Sequence, residues 1–221
     1  MGDATGSGFF ERAYSLGDMR EESGFGWPAK GVGEEMTAFL ESIKKSLRTG
    51  NFLDIGCGEG RISIFFAKNG FESYGIDFIP QAVRRAKKHS YEAGVHGRCH
   101  FIAGNALYLP YRSMLFDAAV DWSVFDHIEP GNWPLYIDNI LRALKPGGHY
   151  MLSAFSINTP WMKGRKNEYY SGDAYFHFFT ENEIRNLFGK HFNIIEIREK
   201  VHPKPEPVFV FYHALMQKRD R

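Results

Sequence analysis

Residues 53–60 read LDIGCGEG, an apolar run that meets Asp54 and then passes into three glycines, Gly56, Gly58 and Gly60, set one residue apart. Before it, NFLD reads as a strand; after it, RISIFFAKNG (61–70) reads as a short helix closed by Gly70. Side chains are therefore missing at three alternate positions where a strand hands over to a helix, the edge at which open α/β sheets take ligands. Working outward, FESYGID (71–77), CHFIAGN (99–105), FDAAVDW (116–122) and HYMLSAF (149–155) read as further strands. Helical patterns lie between them at 80–94 and 132–148, the first with Pro80 in its opening turn and Gly94 after its end. Such alternation predicts a parallel sheet covered on both faces.

Upstream, Met36, Phe39, Leu40, Ile43 and Leu47 share one face of a helix that Gly50 stops. Downstream the pattern changes. Thr180 and Glu183 form a capping box before a helix, and FNIIEIREKV (192–201) and PVFVFYHALMQ (207–217) then read as strands joined by HPKPEP. So short a link cannot make a right-handed parallel crossover, so this last pair is expected to be antiparallel.

Composition narrows the function classes. The 221 residues suit one well-buried domain, 43% are hydrophobic, and the formal charge is +1, which gives no general attraction to nucleic acid or anionic membranes. No apolar run has membrane-spanning length and the N-terminus lacks the order of a signal peptide, so a cytoplasmic location is expected. Only two cysteines are present, Cys57 and Cys99, and the first lies in the glycine turn, which fits a reducing compartment. His89, His96, Cys99 and His100 cluster in sequence but without zinc spacing, and no metal is expected. RRAKKH (84–89) reads as the solvated face of a helix.

The glycine turn does not match the dinucleotide fingerprint, because Arg61 follows Gly60 directly. An acidic residue, Asp77, nevertheless closes the second strand, where a ribose would be held. Taken together, LDIGCGEG, GID (75–77), GNALYLP (104–110), FDAAVDW and LKPGG (144–148) resemble the class I S-adenosylmethionine-dependent methyltransferases of the small-molecule type, from about residue 31 onward. The resemblance implies a Rossmann-like doubly wound α/β fold of seven strands, mostly parallel with an antiparallel C-terminal hairpin, in the order 3-2-1-4-5-7-6. It also implies one methyltransferase domain over 31–221 with an acceptor-side insert near 157–179, preceded by a lid or acceptor-side segment at 1–30.

Carried over by position, the family pattern assigns S-adenosyl-L-methionine as cofactor. Asp54, Gly56, Cys57 and Gly58 would face its methionine part, Asp77 the ribose hydroxyls, Phe78 the adenine face, and Asn105 with Ala106 the adenine edge. Asp121 and Trp122 would border the sulfonium. Asn105 departs from the Asp that many members carry, and offers a neutral acceptor instead. His127 is the expected general base with Asp126 beside it, since a base is needed when the acceptor arrives protonated. Aromatic candidates for the acceptor wall are Tyr14, Trp27, Trp161, Tyr169, Tyr170 and His177. The expected activity is methyl transfer to oxygen, nitrogen or sulfur of a small molecule, with no nucleic-acid or membrane partner. Two alternatives stay open: a protein that binds the cofactor without catalysis, and a nucleotide-dependent Rossmann oxidoreductase.

Overall fold

A computed structural model describes residues 7–15, 32–202 and 208–220. Trp27, most of the 1–30 segment and the 203–207 link lie outside the described residues. Nine strands are described: β1 (Asn51–Ile55), β2 (Glu72–Asp77), β3 (Cys99–Ala103), β4 (Phe116–Trp122), β5 (Leu144–Phe155), β6 (Glu168–Ser171), β7 (Ala174–His177), β8 (Phe192–His202) and β9 (Phe209–Lys218). The α-helices are α1 (Ser7–Ser15), α2 (Glu34–Lys44), α3 (Arg61–Lys68), α4 (Pro80–Glu92), α5 (Trp133–Ala143) and α6 (Glu181–Phe188).

Seven strands form one sheet in the order β3-β2-β1-β4-β5-β9-β8. This is the expected 3-2-1-4-5-7-6 arrangement, renumbered because β6 and β7 form a separate antiparallel hairpin that the sequence reading treated only as an insert. β1 to β5 run parallel, and β9 is antiparallel to both β5 and β8.

Alternation along the central strands builds two cores. On β1, Phe52 faces α2 and α3 whereas Leu53 and Ile55 face α5 and α6; on β4, Ala118 and Val120 take the first side and Ala119 the second, which Phe116 joins from before the register shift against β5. Met36, Phe39, Leu40 and Ile43 are buried, as the helical spacing at 36–47 predicts. The Thr180–Glu183 capping box closes the start of α6, with both reciprocal hydrogen bonds formed.

Phe66 anchors the first core. It is fully buried, stacks on Phe52 at 3.6 Å between centroids, and meets Phe39, Phe65 and Phe71 edge-on. Phe66→Ala is expected to cost about 3–5 kcal/mol in urea unfolding, and a loss under about 1 kcal/mol would contradict this role.

Candidate active site

The turn from β1 to α3 brings left-handed backbone at Gly56 (φ 67°), Gly58 (φ 52°) and Gly60 (φ 80°). Each is also tightly approached. A Cβ at Gly56 would lie 2.1 Å from Val124 Cγ2, one at Gly58 2.8 Å from Tyr14 Oη, and one at Gly60 2.8 Å from Phe101 Cζ. The third glycine thus serves helix-to-sheet packing, while the first two border the space above the sheet edge.

That space is an open cavity of about 990 Å³, the solvent at its mouth included. Its walls include Gly56, Asp77, Phe78, Asn105, Ala106, Trp122 and His127, residues named from sequence, and also Tyr14. Phe10, Ile79, Leu107, Ser123, Ile128, Glu129 and Asn132 join them. The sequence offered no motif for these. Phe10 lies on α1, which crosses the cavity with its ring edge-on to Phe78 at 5.7 Å and to His127 at 4.9 Å. α1 is tied down by the Arg12–Asp173 ion pair and by Arg85 donating to the Tyr14 carbonyl.

Asp77 accepts from the Gly58 and Ile79 amides, one on each oxygen at 2.9 Å, which leaves lone pairs on both oxygens. Asp54 does not reach the cavity wall: its carboxylate accepts from the Ser63 amide and hydroxyl and so caps α3, whose N-cap position is Gly60. Cys57 packs its thiol beside Ala67, Ala86 and Phe101, so any approach through it would be through its backbone. Asn105 spends its carbonyl oxygen on the Leu107 amide while still lining the cavity.

Asp121 likewise faces inward, accepting from the Val124 and Phe125 amides and from the Tyr136 hydroxyl. Asp126 is fully buried, bound by the Ser123 hydroxyl at 2.7 Å and the Phe155 amide at 2.8 Å, so it holds the loop after β4 and does not touch His127 through its carboxylate. Between them Ser123 is held at φ 60°, an uncommon conformation for a residue with a side chain, on the cavity wall.

His127 is oriented by its Nδ1, 2.9 Å from the Tyr175 carbonyl oxygen. A carbonyl only accepts, so Nδ1 carries the proton and Nε2 keeps its lone pair. Burial pushes this imidazole down to about 4, so it is neutral at physiological pH.

The insert's rings singled out from sequence pack away from the cavity, although Tyr175 and Phe176 hold His127 from behind. Trp161 packs against Phe178 and Phe209, Tyr169 against Trp161 and Phe176, and Tyr170 against Tyr175 at the surface. His177 is buried among Tyr175, Asn167 and Glu183. None of these four lines the cavity, whereas Tyr14, read as an acceptor-side candidate, sits beside Gly58 at the Asp77 end.

Residues 52–148, the stretch from β1 to the Gly-Gly within β5, match a family model described as a methyltransferase domain. That stretch is a methyltransferase domain, and the fold around it is that of S-adenosylmethionine-dependent methyltransferases. It is 24% identical, over 80% of its length, to a tRNA N(3)-methylcytidine methyltransferase of Schizosaccharomyces pombe, spanning 62% of that relative. It is 25% identical over 77% of its length to a 2-heptyl-1-hydroxyquinolin-4(1H)-one methyltransferase of Mycobacteroides abscessus, spanning 70% of it. The fold superimposes on the 1,6-didemethyltoxoflavin-N1-methyltransferase of Burkholderia thailandensis, crystallised with its acceptor and S-adenosylhomocysteine, with a TM-score of 0.73 at 22% identity, covering 98% of this chain and 88% of that one.

The methyltransferase cavity suits that family's cofactor on charge. Asp54, Asp77 and Asp121 receive hydrogen bonds only from neutral amides and hydroxyls, and burial raises their carboxyls to about 7, 6 and 6. A ligand bearing an ammonium and a sulfonium offsets this excess of buried acid, and Phe10, Tyr14 and Trp122 supply ring faces for a cation. Among the described residues no Lys or Arg lines the cavity, which disfavours a pyrophosphate. These acids are protonated below the raised values and ionised above them, and only the ionised forms attract a cation. S-adenosylmethionine affinity of the methyltransferase is therefore expected to rise by about tenfold between about pH 5.5 and pH 7.5, and to rise less in Asp77→Asn. A flat profile in calorimetry would contradict the charge argument.

Proposed function

We propose that the chain transfers a methyl group from S-adenosylmethionine to oxygen, nitrogen or sulfur of a small, uncharged and largely apolar acceptor. The observation that carries this reading is the cavity lining, which is mostly apolar, holds no Lys or Arg among the described residues, and is crossed by α1. A nucleic-acid acceptor is gripped chiefly by Lys and Arg on its phosphates. The lining has acid at Asp77 and Glu129 instead, and the formal charge of the chain is only +1. Methylation of tRNA, the activity named for one relative, is the less favoured reading on these grounds.

S-adenosylmethionine, when bound, supplies a methyl group already activated on sulfur, so the residues mainly bind, align and exclude water. Asp77 would take the ribose hydroxyls on its remaining lone pairs, with Phe78 and the backbone at Asn105–Ala106 at the adenine. The amides and carbonyls of the Gly56–Gly58 turn and the Tyr14 hydroxyl would meet the methionine part. Asp54 and Asp121 would act through their field while fixing α3 and the loop after β4. α1 serves as the lid, with Phe10 screening His127 from water.

His127 Nε2 would accept the proton-bearing hydrogen bond of the acceptor. An imidazole held near 4 abstracts protons efficiently only from acidified groups. The acceptor atom is accordingly best matched by an acidic hydroxyl, thiol or ring N–H on a flat heterocycle. Asp126 acts as a positioning residue that holds the loop.

His127→Gln is expected to lower kcat about 10²–10³-fold while leaving S-adenosylmethionine affinity within about twofold, the loss being that of one proton acceptor. Screening hydroxylated and N–H heterocycles against tRNA as acceptors tests the substrate class. Turnover of tRNA alone would overturn it.

A further inference from the structure

Behind Trp122, away from the cavity, three side chains from three distant parts of the chain converge. Glu35 comes from the first turn of α2, His202 from the end of β8, and His213 from β9; one candidate ligand atom on each lies within 4.8 Å of those on the other two. His213 is only 7% exposed, yet among the described residues neither of its ring nitrogens has a hydrogen-bond partner, and His202 Nε2 is likewise buried and unpartnered among them. Buried polar atoms are nearly always satisfied, so unpartnered imidazole nitrogens on two rings beside one carboxylate need a reason.

The rings are held by packing instead of hydrogen bonds. His213 lies against the Trp122 ring at 5.1 Å and parallel to Phe211 at 6.2 Å, and His202 meets Phe211 edge-on at 5.0 Å. We propose that Glu35, His202 and His213 form a binding site for a divalent transition-metal ion, with Zn(II) the ion that the donor set suits. Two imidazoles and a carboxylate are the ligand set of an open zinc site whose fourth position takes water. Metal bonds of ~2.0–2.2 Å bring ligands to roughly 3.3–3.6 Å apart, so closure from the present spacing takes side-chain movements of roughly 1 Å.

A cation already stands at the edge of this cluster. The Lys200 ammonium bonds Glu35 and lies 3.3 Å from Glu34 Oε2. Its side chain is 42% exposed and Glu34 is 94% exposed, so Lys200 has a neighbouring acid and open solvent to move to when an ion takes Glu35. Once filled, the site would clamp α2 to the β8–β9 hairpin and fix the indole that walls the cavity from behind. The donor set stands apart from the acceptor assignment and does not depend on it.

The test uses the full chain, stripped with chelator and titrated with Co(II), followed by visible d–d absorption and with Zn(II) in competition. Wild type is expected to bind about one Co(II) per chain and release it to Zn(II). His213→Phe keeps the ring stack, and His202→Gln alters a residue nearer the surface; circular dichroism checks both folds. Each is expected to weaken Co(II) binding by more than the ~10–100-fold typical of losing a supporting contact. Lys200→Ala, which removes the competing cation, is expected to bind more tightly. Absence of the absorption in wild type, or unchanged affinity in folded His213→Phe and His202→Gln, would overturn the site; no tightening in Lys200→Ala would overturn the competing role of Lys200.

Discussion

The backbone passes from β1 into α3 through left-handed conformations at Gly56, Gly58 and Gly60, and the rest of the site is hung from that passage. Strand β2 receives the turn through two hydrogen bonds from the Gly56 and Cys57 amides to the Ile76 carbonyl. Asp77, next along β2, then reaches back to the Gly58 amide at 2.9 Å. Val124 from the loop after β4 and Tyr14 from α1 close on the two glycines from above. A side chain at either glycine would meet both an unfavourable φ and an occupied space. The same three residues thus set the α3 direction, the position of Asp77 and the fit of α1.

Charge follows from this geometry. Asp54, Asp77 and Asp121 end up buried near the carboxyl edge of the sheet, where desolvation opposes ionisation and neutral donors only partly restore it. Asp54 and Asp121 are also working parts of the scaffold, one capping α3 and the other bracing the Val124–Phe125 turn. The neutral His127 stands across the cavity with its proton committed to Tyr175. An enclosure of buried acids and aromatic rings with no Lys or Arg among the described residues favours cationic and neutral guests over phosphates.

What was legible in the sequence is what local chemistry dictates. Periodicity and glycine punctuation carried the strand–helix alternation, the buried face of α2, the α6 capping box and the antiparallel end, because each depends on residues close together in the chain, whereas the sheet order came only through the family resemblance. Asp77 and Phe78 were singled out at the end of β2 and His127 through the family resemblance, and all three line the cavity. Long-range packing was not legible. Nothing in FFERAYS says that Phe10 will stand between Phe78 and His127, and the rings of 161–177 look equally suited to a pocket until the β6–β7 hairpin turns them against Phe155, Phe178 and Phe209. Asp54 and Asp126 illustrate a second difficulty: a carboxylate beside a site and one inside it have the same sequence signature, and only their hydrogen-bond donors separate them. Glu35, His202 and His213 are far apart in the chain, so no spacing rule could join them.

The central claim is that the glycine turn with Asp77 forms a cradle for an amino-acid nucleoside and not for a dinucleotide. Isothermal calorimetry of the full chain with S-adenosylmethionine, S-adenosylhomocysteine and nicotinamide dinucleotides addresses it directly. The account predicts binding of the two sulfur nucleosides at micromolar level, about −8 kcal/mol, with no heat from either dinucleotide. Tight dinucleotide binding, or no binding of the sulfur nucleosides, would contradict it.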